Sequence, residues 1–164
     1  MPAYVANSVA IDVSGVPFLK RYSTPMDFGK SWRGKRILGD GKTWRGLICG
    51  TFGGVVCAVL QSYLNPEGLF HMTPSVGLLL GFGALIGDSA ESLIKRRMGF
   101  DRGHPLFFLD QWDYIFGAFF LAWTVVPMAE IGVGHLLLAL LITMPLHFIS
   151  SIVAWKLKLK KNPW

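Results

Sequence analysis

The sequence predicts an all-α integral membrane protein of about five transmembrane helices, with the N-terminus outside, the C-terminus cytoplasmic, and residues 1–164 forming one domain. Three observations predict it. The 164 residues are 52% hydrophobic and only 16% charged, with a mean hydropathy of +0.44, whereas a soluble domain carries about 25% charged residues. Several apolar runs approach the roughly 20 residues that a hydrocarbon core of about 30 Å requires. All 16 lysines and arginines fall on one side of a five-helix path. The net charge of +6 and pI near 9.6 therefore do not mark a nucleic-acid partner, because a basic soluble module would not set its charge between long apolar runs. The expected partner is the membrane bilayer of the cell, crossed several times.

The first segment, about Ala3 to Leu19, is short and carries Asn7, Ser8 and Asp12. No basic residue precedes it and no clear cleavage site follows, which disfavours a signal; between a half-buried helix and a span, the one-sided placement of the basic residues favours the span. A long connection, about residues 20–45, holds Lys20, Arg21, Lys30, Arg33, Lys35, Arg36, Lys42 and Arg45. Gly46, Gly50 and Gly54 recur every four residues along the second helix, whose span is Leu47 to Leu64, and the third, Ser75 to Leu93, pairs Gly77 with Gly81 and Gly83 with Gly87. Small residues four apart let helix backbones approach closely. Cys49 and Cys57 lie in the same apolar run and read as packing residues. After the third span come Lys95, Arg96, Arg97 and Arg102, in a second cytoplasmic loop of about residues 95–110. Tyr114 to Ile131 and Val133 to Trp155 are the last two spans, and Lys156, Lys158, Lys160 and Lys161 form the tail. The remaining two connections carry only Glu67 and Glu130, so the positive-inside rule orients the chain.

Carboxylates sit where an apolar protein should exclude them. Asp88 and Glu91 share a face near the end of the third span, and Asp110 and Asp113 are likewise three apart at the start of the fourth. Antiparallel neighbours would bring the two pairs to similar depth. Ionisable groups there are expensive and mark functional sites. Two readings stand: ion pairs with Lys95 and capping of a helix start, or a site for a hard cation, Mg²⁺ before zinc, because the donors are all oxygens. Such a metal beside a basic loop suits phosphoryl or nucleotidyl transfer. Among the histidines, His104 lies between Arg102 and Asp110 and is a phosphate-contact candidate, while His71, His135 and His147 read as packing or satisfied groups.

The long basic connection ends Arg36-Ile-Leu-Gly-Asp-Gly-Lys-Thr-Trp-Arg-Gly46. A phosphate-binding loop of the Walker type needs glycine where Arg36 stands, so Gly41-Lys42-Thr43 is not one. The CDP-alcohol phosphotransferase pattern matches at Asp40-Gly41, Arg45 and Gly54, but Ala58 and Ser62 occupy the positions of its last two aspartates. What remains is a cationic, glycine-rich turn at a helix start, where Lys42, Thr43 and Arg45 offer charge and hydrogen bonds to phosphate.

Gly87-Asp-Ser-Ala-Glu-Ser-Leu-Ile-Lys-Arg-Arg97, followed by Leu109-Asp-Gln-Trp-Asp113, resembles the signature of the phosphatidate cytidylyltransferases, Gly-Asp-x-x-Glu-Ser, Lys-Arg, a loop, then Asp-Arg-x-Asp. The loop is shorter here and Gln111 replaces the signature arginine. With the Arg36 to Gly46 stretch and the small size, these departures resemble the archaeal branch, the CDP-archaeol synthases. The resemblance implies cytidylyl transfer from CTP to an isoprenoid glycerol-phosphate lipid, 2,3-bis-O-geranylgeranylglycerol 1-phosphate, with Mg²⁺ and release of pyrophosphate. It implies Asp88, Asp110 and Asp113 as metal-holding catalytic residues, with Lys95 a further catalytic residue and Glu91 a further ligand candidate. Lys42, Thr43, Arg45, Lys95, Arg96 and His104 would meet CTP and its phosphates. Two other classes share the residue pattern: a CDP-alcohol phosphotransferase, and a small cation or phosphate transporter using the carboxylates as an ion path.

Overall fold

The computed structural model describes residues 1–64, 72–100, 106, 109–127 and 131–156, with the backbone alone for residues 20, 147–148, 150–151 and 153–156. Among the described residues five α-helices carry it: α1 (Pro2–Gly15), α2 (Trp44–Leu64), α3 (Pro74–Met98), α4 (Leu109–Ala122) and α5 (Val133–Lys156). Both α2 and α3 are long and apolar enough to cross a membrane. Large apolar side chains such as Ile48, Phe52, Phe120 and Leu141 project outward. Water would penalise so broad an apolar surface, whereas lipid tails accept it.

Local chemistry sets the helix ends. Pro74 occupies the first turn of α3 and the Thr73 hydroxyl accepts the Val76 amide at 3.2 Å, a cap with a proline where no N–H is missed. At the other end Gly99 adopts φ +88°, its amide donates to the Arg96 carbonyl, and Phe100 donates to Lys95 at 3.0 Å, closing the helix in a left-handed cap. The helix thus runs five residues past the expected Leu93. Lys95, Arg96 and Arg97 therefore fall in its last turn, where the helix dipole favours cations.

The fourth expected span, Tyr114 to Ile131, differs most. Helix α4 starts at Leu109 and stops at Ala122. The Thr124 hydroxyl donates to the Leu121 carbonyl at 2.7 Å, Val126 donates to Ala122, and Pro127 disfavours a helical residue before it. Hydropathy did not register this turn, because Trp123, Val125 and Val126 keep the run apolar.

The glycines do what their spacing suggested. A Cβ on Gly54 would meet Gly81 Cα at 3.0 Å, and one on Gly50 would meet the Ala6 carbonyl at 2.6 Å. Helix α3 is central, packed against α1, α2 and α4, while α5 packs on α4. Ala3, Leu80, Ala84, Tyr114, Ile115 and Ala118 form the heart of the core. Tyr4 ties α1 to α5, donating to the Ala139 carbonyl at 3.1 Å and lying 2.7 Å from Thr143 Oγ1.

Hydrogen bonds order the basic connection. It contains a two-stranded antiparallel hairpin, β1 (Ser31–Trp32) with β2 (Lys35–Arg36), inside an otherwise helical fold. Arg33 and Gly34 both take positive φ at its turn, the backbone that matches the twist of paired strands. Strands of two residues leave no periodicity to read. Met26 donates to the Lys42 carbonyl at 2.8 Å and Trp44 to Thr24 at 3.1 Å, returning the chain to the start of α2.

Candidate active site

The site begins where α3 and α4 touch backbone to backbone. A Cβ on Gly83 would meet the Gly117 carbonyl at 2.5 Å, and one on Gly87 would collide with the Asp113 carbonyl oxygen. That contact, one residue from Asp88, brings the carboxylates of the two helices together. One oxygen from each of Asp88, Glu91 and Asp113 lies within 4.8 Å of the others. Two lysines balance the cluster. Lys42 Nζ sits 2.5 Å from Asp88 Oδ2, and the buried Lys95 Nζ bridges Glu91 Oε1 at 2.6 Å and Asp110 Oδ1 at 2.7 Å. Asp110 also receives the Leu106 amide on both oxygens at 3.3 Å, and Asp113 Oδ1 accepts the Tyr114 amide at 2.6 Å.

These groups line a polar cavity of about 320 Å³ between α3, α4 and the end of the basic connection. Lys42, Asp88, Glu91, Lys95, Arg96, Asp110 and Asp113, all expected from the sequence, meet there. Asp110 stands to one side of the three clustered carboxylates, held by Lys95. Thr43 and Arg45 line an adjoining cavity of about 270 Å³ that shares Gly41, Lys42 and Asp88. Each makes local hydrogen bonds: Thr43 Oγ1 accepts the Gly46 amide at 3.1 Å at the start of α2, and Nη1 of the buried Arg45 donates to the Leu19 carbonyl and, at 3.2 Å, to Ser23 Oγ. His104 lies outside the described residues.

On the opposite side of the same carboxylates lies an apolar groove of about 730 Å³ between α3 and α4, walled by Phe82, Ile86, Phe116 and Phe120. Glu91 and Asp113 border both the groove and the polar cavity. Two enclosures of opposite polarity therefore meet at two carboxylates.

Sequence reasoning passed over Asp27 and the backbone that it organises. Its carboxylate is buried and accepts the amides of Gly29, Leu38 and Gly39, each at 3.0 Å, while Arg36 pairs with it at 2.8 Å. Leu38 and Gly39 are wall residues of the polar cavity. The available signal was Asp27-Phe-Gly29, an aspartate able to accept the amide two residues on and fold a turn on itself. Burial alone would raise its pKa, but the hydrogen bonds from Arg36 and the three amides outweigh it and hold the carboxyl well below the usual range. A carboxylate depressed on folding adds stability that is complete above its unfolded value, about pH 4, and lost as pH falls through the folded one. Asp27→Asn should therefore lower stability at pH 7 by about 2 kcal/mol, as expected for lost hydrogen bonds to a charged group. Thermal melts in detergent from pH 7 to pH 3 check this: the gap between wild type and variant narrows below pH 4, and a pH-independent gap speaks against the assignment.

The family model described as CarS-like, CDP-archaeol synthase, matches residues 1–164. The chain belongs to this family. CDP-archaeol synthases of Pyrococcus horikoshii and Archaeoglobus fulgidus are 41% and 38% identical to it, over 100% of this chain and 92% and 93% of theirs. That of Methanospirillum hungatei is 37% identical over 100% of this chain and 99% of its own. A solved structure of an intramembrane enzyme for archaeal membrane lipid biosynthesis superposes with a TM-score of 0.71 at 31% identity, covering 92% of this chain and 89% of that one. As a CDP-archaeol synthase family member, the chain is a mostly helical membrane enzyme. The oxygen cluster of Asp88, Glu91 and Asp113 fits a divalent cation.

Proposed function

We propose that this protein transfers the cytidylyl group of CTP to 2,3-bis-O-geranylgeranylglycerol 1-phosphate, giving the CDP-lipid and pyrophosphate. The observation that carries it is the shared border at Glu91 and Asp113 between a charged cavity sized for nucleotide phosphates and an apolar groove suited to isoprenoid chains. The lipid keeps its chains in the bilayer and presents its phosphate between α3 and α4. CTP arrives from the cytoplasmic side, where the basic connections lie in a five-span topology with the N-terminus outside.

Asp88, Glu91 and Asp113 are the candidate ligands of Mg²⁺, which when bound neutralises phosphate charge and polarises the reacting phosphorus. Lys42 and Arg96 face the same cavity and neutralise the triphosphate. Lys95 holds a fixed ammonium there, and Asp110 acts by orienting it. An oxygen of the lipid phosphate forms a bond to the α-phosphorus, and the bond from that phosphorus to the β-bridging oxygen breaks in line. The electron pair leaves with pyrophosphate. No side-chain nucleophile is needed. Arg45 and Thr43 support the start of α2 beside Lys42.

The CDP-alcohol phosphotransferase reading is weaker, since Ala58, at one of its aspartate positions, is buried against Gly77. Purified protein given CTP, Mg²⁺ and the archaeal lipid phosphate should form CDP-lipid, detected by mass spectrometry. Absence of that product in folded, Mg²⁺-supplied protein would overturn the assignment, and cation or phosphate flux in sealed liposomes without nucleotide would support a transporter instead.

A further inference from the structure

The cavity wall facing α3 is made by Leu38, Gly39 and Gly41, a stretch with neither helix nor strand to hold it. We infer that Arg97 is a positioning residue that fixes this wall for the nucleotide, acting through the β1–β2 hairpin; the inference rests on the nucleotide reading of the cavity. The Arg97 guanidinium donates to three hairpin carbonyls, Trp32 at 2.7 Å, Lys35 at 3.2 Å and Arg36 at 2.8 Å. It also lies 5.2 Å from the centroid of the Trp32 ring, in cation–π range. A single planar fork thus clamps both strands to the last turn of α3.

The path continues from the hairpin to the cavity. Arg36 reaches Asp27 at 2.8 Å and Asp40 at 2.7 Å, and Asp27 accepts the amides of Leu38 and Gly39. Each link is a charge-assisted hydrogen bond, the strong and directional kind. Arg97 itself does not line the cavity, whereas its neighbours Lys95 and Arg96 do. The end of α3 therefore supplies cations on one side of the nucleotide and, through Arg97, sets the spacing of the backbone on the other.

Hydrogen–deuterium exchange and CTP kinetics on detergent-purified wild type, Arg97→Ala and Arg97→Lys, each first shown to elute monodisperse with Mg²⁺ present, test this. In Arg97→Ala, exchange across residues 31–41 should accelerate, and KM for CTP should rise about tenfold with kcat within about threefold, the scale of losing hydrogen bonds from a charged donor. Arg97→Lys keeps the charge but not the fork, so it should shift both readouts in the same direction. Wild-type exchange across residues 31–41 in Arg97→Ala would overturn the coupling. Faster exchange with an unchanged KM for CTP would overturn the positioning role, and full rescue by lysine would assign the effect to charge instead. Wild-type protein that never consumes CTP would defeat the nucleotide reading, while the exchange comparison would still decide whether Arg97 orders the wall.

Discussion

Replacing Asp113 by Asn is expected to lower CDP-lipid formation by about a thousandfold, roughly 4 kcal/mol of transition-state stabilisation, while the protein remains folded in detergent. The substitution changes charge and little else. Asparagine keeps the carbonyl oxygen that accepts the Tyr114 amide, so the first turn of α4 should retain its geometry. What disappears is one of three clustered carboxylate oxygens, from a residue at the border between the polar cavity and the apolar groove. If these oxygens hold the cation, raising Mg²⁺ should recover part of the lost rate. A variant with near-wild-type turnover would remove Asp113 from the metal site.

The second large effect concerns backbone rather than charge. A Cβ on Gly117 would lie 2.6 Å from Gly87 Cα and 2.7 Å from Gly87 N, besides colliding with the Gly83 carbonyl. All three obstacles are backbone atoms, which cannot rotate aside, so Gly117→Ala must push α3 and α4 apart. Displacement of about 1 Å at a reacting centre costs about a hundredfold in rate. Gly117→Ala should therefore lose about that much turnover, with a clear drop in melting temperature. Gly134→Ala is the control, because nothing lies within 4 Å of its added Cβ and alanine favours a helix; it should melt at or slightly above wild type. Equal turnover in wild type and Gly117→Ala would show that close helix approach does not position the carboxylates.

Local repetition explains which parts of this architecture were readable. Carboxylates three apart and glycines four apart follow from helix geometry, and they predicted that α3 and α4 would bring the pairs Asp88–Glu91 and Asp110–Asp113 together; three of the four cluster, while Asp110 is drawn aside by Lys95. Contacts between distant, non-periodic segments left no such trace. Lys42 meets Asp88 across 46 positions because the connection folds back on Asp27, and the arrangement depends on single hydrogen bonds with no repeating pattern. Arg45 shares Lys42's charge and turn, yet its side chain runs back to Leu19 and Ser23, a direction that composition cannot specify. Gly117 escaped notice as a lone glycine in an aromatic stretch, although the groove and the site both depend on it. The early stop of α4 came from a threonine hydroxyl and a proline inside a run that stayed apolar.

The most direct test of the central claim is the phosphorus-containing product released when purified protein consumes CTP with Mg²⁺ and 2,3-bis-O-geranylgeranylglycerol 1-phosphate. Attack at the α-phosphorus predicts one pyrophosphate for each CDP-lipid formed, with no CMP and no free orthophosphate. Release of CMP, or of orthophosphate in place of pyrophosphate, would contradict cytidylyl transfer at this site.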